Sequence, residues 1–217
     1  KKSKRYSMTL KDVYLALAKN IPTKDGKIIP NPYKTWKEIN PMLPSNNIKV
    51  MGPPPTSGTR DAFVELAMEG GCKKFKWVKA LKKKNKLAYK ELCHSIREDG
   101  AYIEAGENDN MILHKLTVNK NMLGIFGFSF LDMNGNKVQG SIIQGKKPTF
   151  DNISQGTYPI SRPLYFYVKK DNMGRIKGLK EYVKLFISEK SSGPDGFLTD
   201  QGLIPLGESE RKKRANF

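Results

Sequence analysis

Gly52-Pro53-Pro54-Pro55-Thr56-Ser57-Gly58-Thr59-Arg60-Asp61-Ala62-Phe63 is the stretch from which the fold of this 217-residue chain is read. Each proline fixes φ and disfavours helix in the residue before it, so the run delivers the chain stiffly to Thr56. Thr56, Ser57 and Thr59 are hydroxyl donors, and Gly58 lets the backbone approach a ligand closely. Beyond Thr59 the apolar Phe63, Val64 and Leu66 to Met68 alternate with Arg60, Asp61, Glu65 and Glu69 in a helical pattern. A helix N-terminus presents unpaired N–H groups and the positive end of the macrodipole, so residues 56–60 read as an oxyanion cradle. The same Ser-Gly-Thr is also what an ordinary N-cap requires, and on local chemistry alone that plainer reading is favoured.

Upstream, residues 48–51 read as a short strand entering the proline run. Thr9 is placed to cap a helix reaching about residue 19, and residues 20–47 form a Pro-, Gly- and Asn-rich ordered loop anchored by Tyr33, Trp36 and Ile39. Downstream, strands are expected over 101–105, 123–130, 138–143, 163–169 and 202–206, with helices over 111–118 and 180–189. The alternation of Leu164, Phe166 and Val168 with Tyr165 and Tyr167 is the strongest strand signal. Short strands alternating with helices define an α/β architecture, without internal repeats.

The chain carries 39 basic and 21 acidic side chains, a net charge of +18, which raises the alternative of a basic nucleic-acid or polyanion-binding protein. The distribution argues against it, and no nucleic-acid partner is expected. Only seven of the cations are Arg, the residue suited to forked recognition of bases and phosphates. Nine lysines fall within 73–90, where Phe75, Val78, Leu81 and Leu87 recur among them as an amphipathic helix pair with a solvated lysine face. No apolar run approaches the length of a membrane span, so the chain reads as soluble. It opens on Lys1-Lys2-Ser3-Lys4-Arg5 without a following apolar stretch, which implies a removed export signal or a missing N-terminal part.

Cys72 and Cys93 bracket the helix pair; they read equally as a disulfide in an oxidising compartment or as two buried thiols. His94 and His114 lack the neighbours of a metal site, so no metal or other cofactor is expected. No nucleophile–base motif is present, and the chain does not read as an enzyme. Gly106-Glu107-Asn108-Asp109-Asn110 sets polar groups just before a helix, as a capped turn or as a second set of ligand contacts.

The chain resembles the periplasmic phosphate-binding proteins of phosphate ABC transporters, in their proteobacterial form. The resemblance rests on residues 31–39 (Asn-Pro-Tyr-Lys-Thr-Trp-Lys-Glu-Ile), 52–63, 97–110 (Arg-Glu-Asp-Gly-Ala-Tyr-Ile-Glu-Ala-Gly-Glu-Asn-Asp-Asn), 123–128 (Leu-Gly-Ile-Phe-Gly-Phe), 158–164 (Tyr-Pro-Ile-Ser-Arg-Pro-Leu) and 193–196 (Gly-Pro-Asp-Gly). In order and spacing these cover nearly all of residues 9–206.

The resemblance implies a type II periplasmic binding protein-like α/β fold that clamps inorganic phosphate between two lobes and hands it to a membrane permease. It places the second lobe in residues 1–162 and a return to the first lobe in 163–217, the rest of the first lobe being absent. Thr56, Ser57, Gly58, Thr59 and Arg60 become the phosphate-binding residues, with Arg97, Asn108, Asp109 and Asn110 as secondary candidates. Many members carry an Arg four residues before the Ser, where this chain has Pro53; Arg60 is the preferred substitute and Arg97 the weaker one. First-lobe motifs, including an Asp that accepts the proton of phosphate, find no match before Thr9. The missing half is therefore expected as a second fragment, or the chain self-associates. An exported, periplasmic location is implied by the family, and with it the disulfide.

Overall fold

Thr9 caps the first helix as its position predicts. Its Oγ1 accepts from the Asp12 N–H at 3.1 Å, and the Asp12 carboxylate accepts from the Thr9 N–H at 2.8 Å. This reciprocal box satisfies donors that a helix start leaves orphaned. The computed structural model describes residues 5–215. The chain divides into two units, Lys1–Pro148 and Thr149–Phe217, so residues 149–162, read from sequence with the earlier part, group with the later one.

The first unit opens with β1 (Ser7–Met8), α1 (Leu10–Leu17), β2 (Asn20–Pro22), β3 (Ile28–Pro30), α2 (Trp36–Ile39) and β4 (Val50–Gly52). β2 and β3 pair as an antiparallel hairpin where the sequence predicted only an ordered loop. Trp36 is the buried anchor expected there, met edge-on by Tyr6 at 5.7 Å between ring centroids. Asn31 ties the segment to α1, donating from Nδ2 to the Leu15 and Ala18 carbonyls.

Beyond β4, the segments α3 (Gly58–Phe63), a π-helical turn (Val64–Met68) and α4 (Glu69–Cys72) run on without interruption. The hairpin of α5 (Lys76–Lys84) and α6 (Lys86–His94) comes next, then β5 (Tyr102–Glu104), α7 (Asp109–Val118), β6 (Leu123–Gly124), α8 (Phe128–Met133) and β7 (Ile142–Ile143). β4 lies between β5 and β6 and is parallel to both, with Val50 opposite Tyr102 and Leu123. β7 pairs in parallel with β1. The strand predicted over 123–130 is cut to two residues. Ile125 still donates to the Met51 carbonyl at 2.9 Å, but Gly127 then caps α8. The strand predicted over 138–143 likewise shrinks to Ile142–Ile143.

Met51, Ala105 and Ile112 form a buried core where α7 covers the sheet, with Ile103, Leu116, Met122 and Phe126 packed around it. Gly124 makes room for this helix, because a Cβ there would sit 2.7 Å from Ile112 Cγ2. A second core gathers around α1, which packs on α4. A Cβ on Gly71 would overlap the Leu10 carbonyl and the Tyr14 side chain, so glycine sets how closely these helices approach. Tyr14 is fully buried and donates to the Leu92 carbonyl at 3.0 Å; burial pushes its pKa up. At the base of the hairpin, burial works against ionisation of Glu69. Hydrogen bonds from Lys73, His94 and Lys82 nevertheless hold its pKa well below the ordinary carboxylate value.

Cys72 and Cys93 are joined in a disulfide with Cα atoms 5.5 Å apart, which decides between the two readings of the pair.

The second unit contains α9 (Phe150–Ser154), a 3₁₀ turn (Lys170–Asn172), α10 (Leu179–Phe186), α11 (Glu189–Ser192), α12 (Phe197–Asp200) and α13 (Glu208–Ala215). The helix predicted over 180–189 is α10 and the start of α11. Tyr158, Val183 and Ser191 are buried here. The strands predicted over 163–169 and 202–206 do not form among the described residues. Alternation prepares a pleat, but a strand exists only when a neighbour accepts its ladder of hydrogen bonds. Leu164 and Tyr167 instead stand 78% and 91% exposed, on both faces of the segment.

The disulfide closes a loop of 21 residues' separation. Its removal, as Cys72→Ser with Cys93→Ser, is expected to lower unfolding free energy by about 3 kcal/mol in urea titrations of the first unit's signal. Reduction of the unmutated protein should shift the midpoint in the same direction.

Candidate anion-binding site

Parallel strands place the loops that succeed them on one edge of the sheet, and in open α/β sheets ligands bind outside that carboxyl edge. Here the loops after β4 and β5 are joined directly: Thr56 Oγ1 donates to Glu107 Oε1 at 3.0 Å. Each loop ends in a helix cap. Ser57 Oγ accepts from the Thr59 N–H at 3.2 Å at the head of α3, and Asn108 Oδ1 accepts from the Asn110 N–H at 2.9 Å at the head of α7. The plain capping reading of Ser57 and Asn108 is therefore realised, and it fixes two helix N-termini on the same edge.

The proline run is held from below. Tyr102 lies on β5 opposite Val50; its side chain reaches along to Gly52, and its hydroxyl donates to the Pro53 carbonyl at 2.7 Å. Any Cβ on Gly52 would collide with that hydroxyl. Arg60 reaches back to the same carbonyl, Nη1 to oxygen 3.1 Å, with its guanidinium carbon 4.5 Å from the Tyr102 ring centroid and Nη1 3.8 Å from Glu104. Burial pushes the Tyr102 pKa up. Thr56, Gly58 and Thr59 are exposed, while Ser57 and Arg60 are half-buried. A Cβ on Gly58 would meet nothing within 4 Å, so the space before the first turn of α3 is open.

The secondary candidates separate. Asn108, Asp109 and Asn110 sit at the head of α7, on the cradle's edge; Asn108 and Asn110 are exposed, and burial raises the pKa of the half-buried Asp109. Arg97 is not brought to the cradle. It precedes β5 and so lies at the opposite, amino edge of the sheet, 4% exposed. Its Nη1 donates to the Tyr33 carbonyl at 2.8 Å and to Ala16, and its Nε to Asp99 at 2.8 Å. Four residues separate it from the strand, and in sequence that is too little to show which edge it serves. Glu107, Tyr102 and Glu104 were missed as parts of the site; only pairing of β4 with β5 brings them to the proline run. Among the described residues no group of three or more His, Cys, Asp or Glu is placed to hold a metal ion, and no helix is long and apolar enough to cross a membrane.

A parallel sheet with two helix N-termini at its carboxyl edge, that of α3 lined by hydroxyls, places the chain in the α/β class. Residues 1–190 match the family model described as a PBP superfamily domain, and the chain belongs to that superfamily. Its fold is the type II periplasmic binding protein-like α/β fold. Among relatives, the phosphate-binding protein PstS of Staphylococcus saprophyticus is 28% identical over 182 residues, covering 82% of this chain and 47% of the relative. A possible phosphate binding protein from Planctomyces limnophilus superposes with a TM-score of 0.61 at 24% identity, covering 97% of this chain and 63% of that one. PstS from Borrelia burgdorferi superposes with a TM-score of 0.58 at 16% identity, covering 94% and 66%. The chain spans about half the length of the Staphylococcus relatives it matches.

The Arg97 guanidinium beside Asp99 draws that carboxyl from 3.8 to about 2. A carboxylate with a depressed folded pKa adds stability above its unfolded value and loses it as pH falls through the folded one. Stability should therefore drop as pH falls from about 4 to about 2, and Asp99→Asn should flatten that part of the curve, read by urea unfolding at stepped pH.

Proposed function

We propose that the chain is the phosphate-contacting half of a substrate-binding subunit of a phosphate ABC transporter, binding without turnover and without metal. The observation that carries this reading is the open, hydroxyl-lined N-terminus of α3 on the carboxyl edge of the sheet, in a chain of the PBP superfamily. Ser57, Gly58 and Thr59 would meet phosphate oxygens with N–H and O–H groups. Thr56 and the head of α7 would flank them, and Arg60 would support the loop and add positive charge beneath it. The facing half of the clamp would come from residues outside this chain, and the closed form would be handed to a permease after export. The Staphylococcus relatives extend the likeness beyond the proteobacterial form that the sequence resembles.

In the second unit, Leu164, Tyr165, Tyr167, Tyr182 and Leu185 stand exposed, a large apolar surface for one small unit. We assign this surface to the return segment of the first lobe, covered by further residues of that lobe or by a second copy.

Calorimetric titration of the natural protein that carries this chain should give phosphate binding that survives added salt. Ser57→Ala with Thr59→Ala should weaken it about a hundredfold or more, each lost bond to an anion contributing about 1.5–3 kcal/mol. Unchanged affinity in that variant, or binding that falls steeply with salt, overturns the site. Sedimentation with intact-mass analysis of the chain itself should show either a companion polypeptide or a species larger than the monomer. A lone monomer overturns the assignment of the second unit's apolar surface while leaving the cradle untouched.

A further inference from the structure

The α5–α6 hairpin carries a concentration of charge that the anion cradle does not use. Nine lysines lie within residues 73–90 with no acidic residue among them. Of these nine lysines, Lys73 and Lys82 make ion pairs among the described residues, both with Glu69 at the hairpin base. Lys83, Lys84 and Lys86 crowd the turn around Asn85, with Lys90 one helical turn further along α6, and all four are exposed. Glu69 and Glu91 are the flanking carboxylates, and both lie away from the turn. Such unpaired like charge costs stability through repulsion unless an external anion meets it.

At the centre of this cluster Leu87 stands 79% exposed. An apolar side chain ringed by lysines suits one kind of anionic partner. Lysine stems lie along an interface while their ammonium groups stay at its polar level, and an apolar residue between them enters the hydrocarbon beyond. The features a nucleic acid would read are taken or absent. The hairpin holds no Arg, and its rings are engaged. Trp77 Nε1 donates to the Thr23 carbonyl at 2.9 Å, Tyr89 is buried with Lys82 Nζ 5.0 Å from its ring centroid, and Phe75 packs on Tyr14 at 6.4 Å. Among the described residues of the hairpin no exposed ring is left for bases to stack on. The base is also fixed by the Cys72–Cys93 disulfide and the Glu69 cluster, so the turn is presented on a rigid mount.

We propose that the turn of this hairpin, with Leu87 at its apolar centre and Lys83, Lys84, Lys86 and Lys90 around it, is a docking surface for an anionic lipid bilayer. It rests on the hairpin alone and is independent of the phosphate cradle.

The test is co-sedimentation of the protein with vesicles of phosphatidylcholine and with vesicles that also contain phosphatidylglycerol. Binding is expected to the anionic vesicles only, and to fall as salt shortens the screening length. The triple variant Lys83→Glu, Lys84→Glu, Lys86→Glu should lose about tenfold or more of that binding. The same reversal at the exposed Lys115, Lys120 and Lys137 should lose much less, which separates the patch from net charge. Leu87→Ala should weaken binding about tenfold while leaving its salt dependence unchanged. Equal loss in the two charge variants, or no loss on Leu87→Ala, overturns the proposal. So does a protein that ignores anionic vesicles but binds a single-stranded oligonucleotide through the same lysines.

Discussion

The first unit depends on the parallel pairing of β4 with β5 and β6. Parallel strands cannot be joined by tight turns, so helices must carry the chain back, and every strand ends on the same edge. That single constraint brings the proline run, the Glu107 loop and the starts of α3 and α7 together. It also sends Arg97, Asp99 and the Asn46–Asn121 hydrogen bond to the other edge. The loop geometry then rests on one close approach. Gly52 has no Cβ, so the Tyr102 hydroxyl can reach the Pro53 carbonyl, and Arg60 closes over both.

Charge is distributed in a way the net value of +18 conceals. The rim of the cradle carries Glu104, Glu107 and Asp109, with Arg60 as its nearby cation, held at the Pro53 carbonyl and against the Tyr102 ring. In the proposed cradle, attraction for an anion would come from helix N-termini and hydroxyls, which act over a few ångströms and are little affected by salt once a ligand is enclosed. The lysine excess is concentrated instead on the α5–α6 hairpin, where it is exposed and strongly screened. The proposed anion cradle and the lysine-rich hairpin therefore occupy separate parts of the first unit.

The two cysteines show how far local reading reaches. Their spacing around a helix pair allowed a bridge, but a thiol pair fits the same spacing. The distance of 5.5 Å between their Cα atoms is set by α4 and α6 packing together, and α1 fixes α4 through Gly71. The second unit shows the converse. Residues 163–169 carry the strongest strand alternation in the chain, yet they form no ladder, because alternation is a property of the segment and pairing is a property of its neighbours.

Sequence alone determined the elements whose signals are local: the Thr9 box, α1, the short strands at β4 and β5, α7, and the hydroxyl-rich start of α3. Caps, prolines and helical periodicity act within a few residues, so they survive whatever surrounds them. The tertiary structure decided which of those residues share a site. It joined Thr56 to Glu107, 51 positions away, and set Tyr102 under the proline run. It withdrew Arg97 into a buried position, bonded to the exposed Asp99. Those outcomes turn on strand order and direction, and no local pattern encodes which edge of a sheet a side chain will face.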